Sequence, residues 1–103
     1  MTAAQFYEKL GEAGKRMVWY VSSEGNLRAR FKYPKVERCF CPVTAVAYMV
    51  TRNYYETAFF EDAAEALGLN IDFANKVAES ADNYSDGSKK VRRRLLHTVG
   101  VKE

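Results

Sequence analysis

The side chains able to do chemistry are two cysteines, one histidine and three blocks of charge. Cys39 and Cys41 are separated by one residue. A disulfide between them would close a small strained ring, so both are expected to be free thiols in a reducing compartment. Pro42 suits the first position of a helix, which puts Cys41 at the N-cap, where the helix dipole favours a thiolate. Arg38 adds positive charge nearby. A thiol nucleophile needs a base, and His97 is the sole histidine. Cys41 with His97 is therefore the pair that a small thiol enzyme would use. Cys39, Cys41 and His97 lack a fourth soft ligand, so no zinc site is expected. Asp82-x-Tyr84-x-Asp86-Gly87 opens like a calcium loop. Tyr84 stands there in place of an oxygen ligand, and the last ligating position falls on Arg93. No phosphate-cradling glycine loop, Gly-x-Ser-x-Gly or His-Glu-x-x-His occurs, so neither cofactor nor metal is expected.

The charge is segregated. Residues 15–38 hold seven bases against two acids, residues 56–86 one base against eight acids, and residues 87–103 six bases against one acid. Either the blocks neutralise one another within the fold, or they meet an oppositely charged partner. Arg28, Arg30 and Lys32 alternate with Leu27, Ala29, Phe31 and Tyr33, a pattern that suits a half-buried strand and equally a surface for single-stranded nucleic acid. Lys89, Lys90, Arg92, Arg93 and Arg94 crowd the first turns of the last helix, where positive charge opposes the macrodipole. A locally unfavourable placement points to a role in phosphate binding, in docking on an acidic protein face, or in pairing with the acidic helices of the same fold.

Between Glu61 and Ser80, Ala63-Ala64, then Leu67-Gly68-Leu69, then Ala74 and Val77 resemble the helix-turn-helix of many DNA-binding proteins. The resemblance covers about 20 residues of the motif's two helices and their turn. It implies that the second helix reads bases, with Asn70, Asn75 and Lys76 as the residues placed to do so. That helix departs from the pattern: it also carries Asp72 and Glu79, which phosphates repel, and has no arginine to read guanine.

These residues must be positioned by short elements. Thr2 with Gln5 fits a capping box, and Phe6, Leu10, Ala13, Met17, Val18 and Val21 follow at helical spacing. Gly11 and Gly14 weaken that helix, which is expected to break near Gly14 and give way to a strand in Met17–Val21. Glu24-Gly25-Asn26 is a turn signal, so Trp19–Val21 and Leu27–Phe31 form a hairpin. Later helices start at Pro42, after Thr57, after Asn70 and after Ser88, with Gly68 and Gly100 as stops. The expected fold is mainly α: a compact bundle of four to five short helices with a small β-hairpin near residues 17–33, forming one small globular domain over residues 1–103.

No stretch approaches the ~18 apolar residues of a membrane span, and Met1–Glu8 lacks the features of a secretion signal. A cytoplasmic chain with no membrane partner is expected. Without a catalytic constellation, the chain reads as a small non-enzymatic binding module: a regulator, inhibitor or adaptor. It would engage a protein or an anionic partner, nucleic acid included, through Arg28, Arg30 and Lys32 or through Lys89, Lys90, Arg92, Arg93 and Arg94. The alternatives are a helix-turn-helix DNA-binding regulator and the thiol enzyme. The aromatic content would also support a homodimer.

Overall fold

The computed structural model describes residues 1–32, 38–53, 59–84 and 86–102. Among these the order is α1 (Ala3–Arg16), β1 (Met17–Val21), β2 (Leu27–Phe31), α2 (Pro42–Thr51), α3 (Phe60–Leu67), α4 (Ile71–Ala81) and α5 (Lys89–Val99). The protein is mainly α with one small antiparallel hairpin, as the periodicity predicts.

Local signals start most of the helices. The Thr2 hydroxyl accepts from Gln5 N–H at 3.1 Å while the Gln5 side chain accepts from Thr2 N–H at 2.8 Å, completing the capping box. Asn70 caps α4 and Ser88 caps α5. Cys41 is the N-cap of α2, its sulfur accepting from Thr44 N–H at 3.5 Å, with Pro42 in the first turn. Thr57, the expected cap of α3, lies outside the described residues. That helix opens at Phe60, with Phe59 at the cap and no side-chain bond there.

The first helix ends at Arg16, two residues past Gly14, and passes straight into β1 over Met17–Val21, the strand that the sequence predicts. The glycines that weaken it locally also let it lie against α5. A Cβ at Gly14 would sit 3.4 Å from Val99 Cα, and one at Gly11 would sit 3.8 Å from the Thr98 methyl. Packing of the α1 face bearing Phe6, Leu10 and Ala13, all fully buried, outweighs the ~1 kcal/mol propensity cost of each glycine. Trp19 secures the junction by donating its indole N–H to the Ala13 carbonyl at 3.3 Å.

In the hairpin Met17 pairs with Phe31, Trp19 with Ala29 and Val21 with Leu27 on the inner face, so Val18, Tyr20, Arg28 and Arg30 share the outer face. Ala29 also exchanges two backbone hydrogen bonds of 2.9 Å with Phe40, which covers the free edge of β2 and leads the chain into α2. Seven of the ten residues of α2 are buried, so this helix is the centre on which α1, α3, α4 and β2 pack. The main core gathers Phe6, Leu10, Val43, Val46, Val77 and Leu95, and Phe73 meets Phe6 and Tyr7 edge-to-face. A second cluster under the hairpin joins Met17, Ala29, Phe31, Phe40, Ala45 and Met49. The radius of gyration, 12.2 Å, is that of a compact chain of this length, about 13 Å. Among the described residues no helix is long and apolar enough to cross a membrane.

Candidate functional site

The five bases of α5 point in different directions because successive helical residues are about 100° apart. Arg92 turns inward. Its guanidinium donates to the carbonyls of Ser80 at 3.1 Å, Ala81 at 3.3 Å and Gly25 at 2.8 Å, tying the end of α4 and the hairpin turn to α5. Arg94 lies over the Tyr7 ring at 3.8 Å, a cation–π contact that joins α5 to α1. Lys89, Lys90 and Arg93 are exposed, and among the described residues none of them has a carboxylate or hydrogen-bond partner for its side chain. The internal neutralisation that the charge pattern allows is therefore not made by these three.

The hairpin bases divide in a similar way. Arg28 pairs with Asp82 at 2.6 Å, both side chains about three-quarters buried, which docks β2 on the end of α4. Arg30 stands over the Tyr20 ring at 5.3 Å, and Lys32 donates to the Lys15 carbonyl at 3.3 Å.

Around the start of α5 the chain forms a concave site. Ser80 is 2% exposed, and its hydroxyl accepts from Ser88 N–H at 3.1 Å. Gly87 passes so close to α4 that a Cβ there would stand 2.8 Å from the Glu79 carbonyl oxygen and 2.9 Å from Ser80 Cα, so only glycine lets the loop turn at this depth. The cleft left between loop and helix has a volume of about 140 Å³ and is lined by Ser80, Asn83, Tyr84, Gly87, Ser88, Lys89 and Arg92. It adjoins a wider depression of about 310 Å³ walled by Asn83, Lys89, Arg92 and Arg93. No carboxylate lines either of them among the described residues. Asn83 holds a left-handed backbone, φ 57°, and its amide lies against Gly25 of the hairpin turn. Sequence reasoning passed over Asn83, whose one legible signal was its place in a turn-forming Asp-Asn run.

α3 and α4 pack together across the turn at Gly68 and Leu69. Gly68 is left-handed at φ 63°, and Ala64, Leu67, Leu69, Ala74 and Val77 are buried. Of the residues placed to read bases, Asn75 and Lys76 are exposed, while the Asn70 side-chain oxygen already accepts from Asp72 and Phe73 N–H. Among the described residues no group of three or more potential ligands is placed to hold a metal ion.

The two thiols differ. Cys41 has its sulfur against Thr44, with Oγ1 at 3.3 Å, and His97 is exposed on α5. Cys39 is exposed on the outer side of the hairpin, and its sulfur is 2.9 Å from the Tyr20 hydroxyl, a neighbour that sequence spacing does not reveal. The Tyr20 hydroxyl, and then the Arg30 guanidinium, hold the Cys39 thiol below the ordinary range, while Tyr20 keeps its proton to a higher pH than usual. A lowered pKa places more thiolate at neutral pH. In a Cys41→Ser variant, which keeps a good N-cap, iodoacetamide is expected to alkylate Cys39 with a rate that inflects at a lower pH than that of an ordinary free thiol. Tyr20→Phe should move the inflection up. Mass-spectrometric rates against pH check both, and an unperturbed inflection with Tyr20 intact would contradict the geometry.

Comparison with protein-family models, with curated proteins and with solved structures gives no match for this chain.

Proposed function

We propose that the protein is a non-enzymatic binding module that engages an anionic partner through the basic face at the start of α5. The observation that carries this reading is the division of the α5 bases. Arg92 and Arg94 hold parts of the fold together, whereas Lys89, Lys90 and Arg93 remain exposed without acidic partners among the described residues, and no described carboxylate lines the depression that Lys89 and Arg93 wall. Three cations near a helix N-terminus cost stability through the macrodipole and through Lys89–Arg93 repulsion at i, i+4. An anion bound there offsets both costs. Nucleic acid supplies such an anion at regular spacing, and Arg30 and Lys32 on the hairpin are further exposed bases.

The DNA-reading alternative has less support, because Asn70 is committed to capping and Asp72 lies exposed on the same helix. The experiment is binding of random-sequence duplex DNA and single-stranded RNA, titrated with salt. Micromolar binding that falls steeply with rising salt is the expected result. No binding to either at low salt would remove nucleic acid and leave an acidic protein face as the partner, to be sought by pull-down.

A further inference from the structure

We infer that the depression walled by Asn83, Lys89, Arg92 and Arg93, beside the cleft at the start of α5, is a discrete site for one phosphate group, seated between Asn83, Lys89 and Arg93 over the Arg92 guanidinium. The inference rests on the proposed anionic partner and narrows it from a charged face to a shaped pocket for a tetrahedral oxyanion.

Three parts of the fold, remote from one another in sequence, build the pocket. The hairpin turn supplies Gly25, which receives Arg92 at 2.8 Å and backs the Asn83 amide. The end of α4 supplies Ser80 and Ala81, whose carbonyls hold the other side of the Arg92 guanidinium at 3.1 and 3.3 Å. α5 supplies Lys89 and Arg93, one turn apart. Arg92 is thereby held in place and contributes a fixed positive charge to the floor, with no reorganisation needed when a ligand arrives. The depression's volume of about 310 Å³ is roughly ten times the ~30 Å³ share of one water molecule, enough for a hydrated oxyanion.

The donors suit phosphate. Lys89 and Arg93 carry charge, and the Asn83 amide has no hydrogen-bond partner among the described residues. A carboxylate ligand would use two oxygens in a plane, whereas donors from three residues lining one concavity suit the several oxygens of a tetrahedral group.

Asn83 makes the proposal testable, because it is uncharged. A diffuse basic face ignores it; a shaped site does not. Asn83→Gly removes the amide while keeping a residue that accepts φ 57°. The probe is inorganic phosphate, followed by backbone amide shifts of the full chain. Saturable shifts at Asn83 and Gly87–Arg93, with affinity reduced about tenfold in Asn83→Gly at unchanged thermal stability, are expected. Non-saturating shifts spread over all the lysines, or an affinity that ignores Asn83→Gly, would overturn the site. Competition then distinguishes the sources. Displacement by an unphosphorylated oligoribonucleotide identifies a backbone phosphodiester, and displacement only by a 5′-phosphorylated one identifies a terminal monoester. If RNA binding depends on the three exposed bases but not on Asn83, this pocket is wrong while the broader basic face stands.

Discussion

Replacing Lys89, Lys90 and Arg93 together by glutamine is expected to weaken single-stranded RNA binding about a hundredfold or more at low salt. It should also flatten the log K against log salt plot by about 2, since each lost phosphate contact removes roughly 0.7 from the slope for a single strand. The same variant should not be less stable than the parent. Lys89 and Lys90 sit in the first turn of α5, where the helix N-terminus disfavours them, Arg93 follows one turn after Lys89, and none of the three holds a carboxylate partner among the described residues. Neutralising each one relieves a few tenths of a kcal/mol of macrodipole and i, i+4 repulsion, and glutamine is a good helix former. Lost binding with an equal or slightly higher Tm is therefore the combined signature. Unchanged binding would show that the RNA contact lies elsewhere. Lost binding with a large fall in Tm would mean that the three side chains support the fold, contrary to their exposure.

Arg92→Met should do the opposite and reduce stability by about 2–4 kcal/mol. The change leaves the carbonyls of Ser80, Ala81 and Gly25 without a charged donor. Hydrogen bonds to charged groups are individually worth ~1.5–3 kcal/mol, but they share one guanidinium and are not additive. The Ser80 and Ala81 carbonyls belong to the C-terminal turn of α4, where a cation is also favoured by the dipole. For a chain of this size the loss corresponds to a fall in Tm of roughly 10–20 °C. Arg93→Met, one residue along, should change stability by less than ~0.5 kcal/mol. Thermal unfolding of the two variants side by side checks the division of the α5 bases directly. Equal, small effects would show that Arg92 does not hold the hairpin turn to α4.

The basic residues named from sequence on α5 include every α5 cation of the proposed site, yet the sequence offered no way to separate them. Asn83 and the Cys39–Tyr20 contact were out of its reach altogether. Tyr20 and Cys39 are 19 positions apart and meet because two segments flank β2, and Asn83 matters only because the hairpin turn and α5 close around it.

The features that sequence determined alone are those whose partners lie within about four residues. The capping box of Thr2 and Gln5, the caps at Cys41, Asn70 and Ser88, the Gly68 and Gly100 stops and the apolar stripes of α4 and α5 all use backbone groups or faces repeated every turn. Tertiary structure decided whatever depends on the surface opposite a residue. Gly14 reads locally as a weak point in the helix, and only the fold shows that α5 lies so close there that a Cβ would meet Val99 at 3.4 Å. Arg92 and Arg93 are neighbours of identical chemistry, and a rotation of about 100° turns one onto backbone carbonyls and leaves the other in solvent. Charge and propensity are properties of a residue, but the partner it meets is a property of the whole fold.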